Sequence, residues 1–272
     1  MSESTALFPD PSRHPDWIQP HSEKWYARLA SETDEYKYPW KSQFDEPTAE
    51  SLFKEKIASL LTTDSRVLDV GCGHGEFTLQ FVTKAKEVVG IDKRESFIAT
   101  ANRINTSENA RFVTVDVDNG LPFPDNEFDL IYTKKGPWMF GGAGEGNRVI
   151  KPGGFALGLY HGGSDGGLRT LFNGLYQPSV SGNPLEAGIK QTYEDHQNQG
   201  LSEIDVQGIE EIEYLSTPED VLIKKCFGQS KSVKKYVWET CLSGVEDIFD
   251  KNATTKGLSV INYHYMVTAR VI

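Results

Sequence analysis

Cysteine is scarce in this 272-residue chain: Cys72, Cys226 and Cys241 are an odd number with no close spacing. That excludes a disulfide framework and a four-thiolate zinc module, and makes reduced thiols the expectation. Cationic residues are also short, 28 Lys and Arg against 39 Asp and Glu, so the formal charge is -11. Such a field repels nucleic acid and anionic membrane at long range, and a polyanionic partner is disfavoured. No apolar run approaches the roughly 20 residues that span a bilayer. Met1 to Trp17 lacks the positive start and apolar core of a signal peptide, so a cytoplasmic protein is expected. Internal repeats and low-complexity tracts are missing too.

What is present suits a packed core: 38% hydrophobic, 11% aromatic and 25% charged residues. The length fits one large α/β domain with appendages. The organisation expected is an N-terminal arm or lid over 1–45 and a main domain over 46–272, interrupted by an insertion at about 161–200. Trp25, Tyr26, Tyr36, Tyr38 and Trp40 crowd the arm. They read as anchors onto the core, with a lid over a ligand as the alternative.

Pro47 to Leu61 has Leu52, Phe53, Ile57, Leu60 and Leu61 on one helical face. Strands are predicted at Arg66–Val70, Glu87–Asp92, Arg111–Val117, Phe128–Thr133 and Gly154–Tyr160, with helices at Glu76–Lys84 and from Asp92 to about Ile104. This alternation predicts a doubly wound, mostly parallel sheet with helices on both faces. From His161 to Gly200 the pattern weakens into a Gly-, Asn-, Ser- and Pro-rich stretch, the mark of a lid or binding insertion. Beyond it a sixth strand is expected within Leu201–Leu215, a helix starting at Thr217, a helix over Ser230–Asp250 and a closing, antiparallel strand at Leu258–Ile272.

Val67-Leu68-Asp69-Val70-Gly71-Cys72-Gly73-His74-Gly75 lies at a strand-to-helix junction. Glycines at 71, 73 and 75 let the backbone turn tightly and approach a ligand. Cys72 reads as a small side chain packed under the turn, and His74 as solvent-facing or capping. Glu76 stands where a dinucleotide fingerprint expects its third glycine. Asp92 ends the second strand, where an acid accepts from ribose hydroxyls; a helix cap is its structural alternative. Asp116 ends the third strand and suits an exocyclic amine.

In order and spacing, VLDVGCGHGEFT (Val67 to Thr78), VVGIDKRESFI (Val88 to Ile98), VTVDVDNGLPFPDNEFDLIYT (Val113 to Thr133) and EGNRVIKPGGFALGLY (Glu145 to Tyr160) resemble the successive motifs of class I S-adenosylmethionine-dependent methyltransferases. The likeness is to the broad group that includes the ubiquinone and menaquinone biosynthesis enzymes. It implies a Rossmann-like fold, S-adenosylmethionine as cofactor and a cofactor-binding set of Asp69, Gly71, Cys72, Gly73, Asp92, Lys93, Asp116, Val117 and Thr133. Asp69 would lie near the methionyl amino group, Asp92 at the ribose with Lys93 beside it, Asp116 and Val117 around the adenine, and Thr133 near the methyl group.

The acceptor half is less marked, because in-line methyl transfer draws its reactivity from the donor. Lys134, Lys135, Trp138, His161 and the aromatic arm are its candidates. His161, after the fifth strand, is the candidate base, with a backbone-bonded loop histidine as its structural alternative. No Asp/His/Asp set has metal-ligand spacing, so no metal is expected. The expected acceptor is a small molecule. The alternatives are an RNA methyltransferase, using Lys134, Lys135 and a basic helix at Lys231, Lys234 and Lys235, and a nicotinamide-dependent oxidoreductase.

Overall fold

The computed structural model describes all residues except 1–5, 21, 33–37, 142–143, 165–166 and 178–183. Tyr36 of the aromatic arm and part of the predicted insertion lie outside the described residues. The elements run α1 (Glu23–Glu32), β1 (Ser42–Phe44), α2 (Ala49–Leu60), β2 (Arg66–Val70), β3 (Glu87–Asp92), α3 (Glu95–Ile104), β4 (Ala110–Thr114), β5 (Phe128–Lys134), α4 (Gly146–Val149), β6 (Ile150–Ser164), α5 (Leu168–Leu171), α6 (Pro184–His196), β7 (Leu201–Leu215), α7 (Pro218–Lys225), α8 (Lys231–Asn252) and β8 (Leu258–Val271).

Among the described residues the strands form one eight-stranded sheet in the order β1-β7-β8-β6-β5-β2-β3-β4. The ladders β4·β3, β3·β2, β2·β5 and β5·β6 are parallel, and β1·β7 is antiparallel. The fold is thus the predicted α/β, mostly parallel type. The chain leaves β2 for β3 on one side and reaches β5 on the other, so the strand order reverses at β2. A crevice at the carboxyl ends of β2 and β5 follows from that switch.

The chain divides into two compact units. One comprises 49–162, 183–209 and 264–272. Its central strands are apolar on both faces, as parallel strands covered by helices must be: Val67, Leu68, Val70, Val88 and Val89 are fully buried. Phe53 and Ile57 of α2 join Phe77, Phe81 and Tyr132 in one cluster. Ile98 and Ala101 of α3 pack on Phe112.

The other unit comprises 1–48, 163–182 and 210–263. Here Trp25 is buried and its Nε1 donates to the Phe227 carbonyl (2.9 Å), while Trp40 Nε1 donates to Glu213 (2.7 Å). Tyr38 stacks on Trp40. These rings anchor the arm segment within its own unit. Thr217 and Asp220 form a reciprocal capping box that starts α7, as its S/T-x-x-acid spacing dictates.

Four expectations need correction. After the glycine loop the chain makes only a 3-10 turn, Thr78–Phe81, in place of the helix over 76–84. Phe77, Thr78 and Phe81 are buried there, and both rings pack against Tyr132 of β5. β4 ends at Thr114, and Asp116 instead caps a 3-10 turn, Val117–Asn119, by accepting from the Asp118 amide. The stretch 161–200 contains α5 and α6 rather than continuous loop. β6 continues to Ser164, so His161 belongs to a strand, where its side chain is exposed and its ring lies 5.2 Å from that of His264.

Candidate cofactor site and acceptor edge

The glycine loop is held by backbone bonds across β2 and β3. Gly71 N and Cys72 N both donate to the Ile91 carbonyl at 2.9 Å. Gly71 has φ +77° and Gly75 φ +81°, left-handed conformations that only glycine adopts readily. Packing adds a second constraint, since a Cβ on Gly75 would lie 2.7 Å from the Phe112 ring. Cys72 is partly buried against the α3 and β4 cluster, and burial pushes its thiol pKa far up. It is therefore a packing residue under the turn. His74 lies against the Phe97 ring, with centroids 4.3 Å apart.

Asp92 closes the loop. Its Oδ2 accepts from Gly73 N (3.1 Å) and its Oδ1 from Arg94 N (2.9 Å), so one carboxylate ties the glycine loop to the start of α3. Its predicted placement at the strand end is realised, whereas the N-cap of α3 is Arg94, without a side-chain cap bond. Lys93 beside it is exposed.

Asp69 is buried one residue before the end of β2. Its Oδ2 accepts from Thr78 Oγ1 (2.6 Å) and Tyr132 Oη (2.8 Å), while Oδ1 has no hydrogen-bond partner. Burial pushes the carboxyl up to about 6, against the lowering effect of those two hydroxyls. A buried carboxylate oxygen without a donor is costly, and a cationic donor such as an ammonium removes that cost. Tyr132 and Thr78 were not singled out from sequence. The signal available was alternation: Thr78 falls one turn beyond the loop, and Tyr132 precedes the strand-end Thr133.

Asp116 is exposed and lines an open cavity of about 380 Å³ with Thr114, Val115, Asn119, Pro122 and Glu145. Arg148, behind the lining, binds Glu145 (3.0 Å) and the carbonyls of Leu121 and Phe123. Val117 is half-buried and packs on the core beneath. Thr133 is buried, and its hydroxyl donates to the Val70 carbonyl (2.9 Å), joining the ends of β5 and β2. The next residues close over that junction: a Cβ on Gly136 would lie 2.6 Å from Thr133 Oγ1.

A glycine loop, an acid at the end of β3, a buried acid with a spare oxygen and a cavity after β4 thus share one edge of a sheet at its switch point. Residues 67–154 match the model of a family described as a methyltransferase domain. Those residues carry a methyltransferase domain. Curated relatives include the sterol 24-C-methyltransferase of Pneumocystis carinii, 31% identical over 156 residues that are 48% of this chain and 41% of that protein. The 23S rRNA (uracil(1939)-C(5))-methyltransferase of Aeromonas salmonicida is 34% identical over 33% of this chain and 22% of its own length. The demethylmenaquinone methyltransferase of Staphylococcus saprophyticus is 36% identical over 34% and 43%. The chain spans less than half the length of each of these relatives. A putative methyltransferase structure from Bacillus halodurans superposes with a TM-score of 0.51 at 19% identity, covering 82% of this chain and 98% of that one, and shares the fold.

On the acceptor side of the methyltransferase domain, Lys134 is engaged: its Nζ pairs with Glu50 (2.7 Å) and lies over the Phe77 ring. Lys235 pairs with Glu239 on α8, a solvated pair rather than a basic stripe. Trp138 is drawn into a ring cluster with Phe140, Tyr160 and His196. His196 and Tyr160 were not anticipated, because α6 was not recognised as a helix and a strand tyrosine gives no motif.

Proposed function

We propose that this chain transfers a methyl group from S-adenosylmethionine to a small-molecule acceptor. The observation that carries the reading is Asp69 Oδ1, a buried carboxylate oxygen without a donor beside the glycine loop. When bound, the donor supplies an electrophilic methyl group on a sulfonium, so the protein's task is to align the acceptor and exclude water. Asp69 takes the methionyl ammonium, and Gly71, Cys72 and Gly73 lie along the methionine. Asp92 and Lys93 hold the ribose, Asp116 and Val117 frame the adenine, and Thr133 closes the site at the end of β5.

A small-molecule acceptor is supported by the net charge of -11 and by relatives named for a sterol and for demethylmenaquinone. A relative named for 23S rRNA keeps RNA as the second reading. Among the described residues no helix is long and apolar enough to cross a membrane. A cytoplasmic location fits the three free thiols.

Isothermal titration with S-adenosylmethionine and with NADH tests the reading. Binding of the first and not the second is expected; NADH binding alone would overturn it in favour of an oxidoreductase. Loss of transfer to RNA but not to small acceptors, on replacing Lys134 and Lys135, would point to the RNA reading.

A further inference from the structure

Two side-chain atoms at the carboxyl end of β6 and on α6 are buried without partners. They are Tyr160 Oη and His196 Nε2. His196 is 6% exposed, and its Nδ1 lies 2.6 Å from the Thr192 carbonyl one turn earlier. A carbonyl accepts only, so Nδ1 carries the hydrogen and Nε2 of the neutral ring presents a lone pair. Burial lowers the ring's pKa, against the opposing effects of the Thr192 hydrogen bond and of Asp195 on the same helix, so the ring is neutral at neutral pH.

The two atoms belong to one cluster. Ring centroids of Trp138 lie 4.6 Å from His196, 6.2 Å from Tyr160 and 4.8 Å from Phe140, and Tyr160 lies 5.9 Å from His196. Trp138 Nε1 is satisfied by Gln199 Oε1 (2.7 Å), which leaves the Tyr160 hydroxyl and the His196 lone pair as the polar groups without partners. β-Sheet register ties the cluster to the cofactor end: Gly158 is the partner of Thr133, and the Tyr160 ring covers Gly158, where a Cβ would lie 2.7 Å from it. Val70, Thr133, Trp138 and Phe140 line one closed gap beside the glycine-loop strand, and these side chains must move to open it before a ligand enters.

Buried polar atoms in native proteins nearly always have partners, and a ligand is one source of them. Aromatic walls with one base and one hydroxyl suit a flat apolar molecule bearing a single acidic group. Resting on the methyltransferase reading above, we infer that Trp138, Phe140, Tyr160 and His196 form the acceptor subsite, that its ligand is a phenolic or enolic hydroxyl on a planar apolar frame, and that His196 is its base. In the transfer the hydroxyl oxygen gives a lone pair to the methyl carbon, the carbon–sulfur pair stays on sulfur as a neutral thioether, and the hydroxyl proton passes to His196 Nε2. Tyr160 Oη donates to the acceptor oxygen and orients it. An amine acceptor would not need the neutral imidazole, since its proton can leave to water after transfer.

The test uses 2-naphthol as probe and 2-naphthylamine as its isosteric control, on the full chain with S-adenosylhomocysteine bound. Binding is read as quenching of Trp138 fluorescence, taken as the difference between the native chain and Trp138→Phe. Transfer is read with radiolabelled S-adenosylmethionine. Expected are binding of 2-naphthol, its methylation, and a fall in kcat of about 100-fold in His196→Gln with KM changed little, the usual scale for losing a general base. Tyr160→Phe, which removes one atom, is expected to weaken 2-naphthol binding while S-adenosylhomocysteine affinity stays unchanged in both variants. If S-adenosylhomocysteine binds but 2-naphthol does not, or if His196→Gln methylates it at the native rate, the inference is overturned while the methyltransferase reading stands. Preference for 2-naphthylamine overturns the hydroxyl assignment. Failure of S-adenosylhomocysteine itself to bind overturns both.

Discussion

Tyr132 donates its hydroxyl to Asp69 Oδ2 at 2.8 Å, and both residues are almost wholly buried, on neighbouring parallel strands and in register. The carboxylate is therefore oriented from β5, with Thr78 holding the same oxygen from the turn after the glycine loop. The other oxygen has no hydrogen-bond partner. Because burial raises the Asp69 pKa to about 6, this arrangement also sets pH dependences.

Affinity for S-adenosylhomocysteine should rise with pH through about 6. Below that value Asp69 is protonated and cannot pair with an ammonium, so a loss of about fivefold is expected between pH 6 and 5. Titration calorimetry across pH 5 to 8 measures it.

Stability should move in the opposite direction. The folded-state pKa of Asp69 lies above its unfolded value of 3.8, so the folded chain binds the extra proton between about 4 and 6. Stability from this group is therefore greatest at low pH and falls as pH rises through 6. Asp69→Asn keeps an acceptor for Thr78 and Tyr132 without the buried charge. Without ligand it should be more stable than the native chain at pH 8 by roughly 2–3 kcal/mol, at 1.36 kcal/mol per pKa unit. The gap should close near pH 4, as urea unfolding at the two pH values would show.

Tyr132→Phe removes a donor from a buried carboxylate. A loss of about 1–3 kcal/mol is expected at pH 8. The loss should be smaller at pH 4.5, where Asp69 is neutral, and the midpoint of the affinity profile should shift upward. An unchanged midpoint would show that the hydroxyl does not act on Asp69.

Gly90 of β3 has no room for a methyl group: a Cβ there would lie 2.6 Å from Phe112 and 2.9 Å from Cys72 Sγ. Gly90→Ala should cost about 1–3 kcal/mol by overpacking. Combined with Phe112→Leu, the cost should be less than the sum of the two single changes, because the smaller side chain makes the space. Thermal or urea unfolding of the four proteins gives the cycle.

The parts legible in the sequence are those whose signal is local. Val67 to Val70 is apolar apart from Asp69, and Val88 to Ile91 carries no polar side chain; parallel strands buried on both faces read that way, so β2 and β3 were placed to the residue. Thr217, Pro218 and Glu219 announced α7 as a helix start, and the structure adds Asp220 as the reciprocal cap. Glycine loop and acids were legible because tight turns and strand-end carboxylates restrict residue type. The 3-10 turn after the loop was not, since Phe77 and Phe81 sit four apart as a helix would place them. Their partner Tyr132 lies on a strand far along the chain. The Tyr160 and His196 cluster was invisible for the same reason: α6 begins after residues with little periodicity, and 36 residues separate the two rings in sequence (196 - 160).

The central claim is that Asp69 Oδ1 is kept free for the ammonium of a methionine moiety. Calorimetric titration of S-adenosylhomocysteine into the native chain and into Asp69→Ala at pH 7.5 tests it most directly. The account predicts saturable one-site binding by the native chain and a loss of at least about tenfold in the variant, the scale of a charge-assisted hydrogen bond. Equal affinity of the two proteins, or no binding by the native chain, would contradict it.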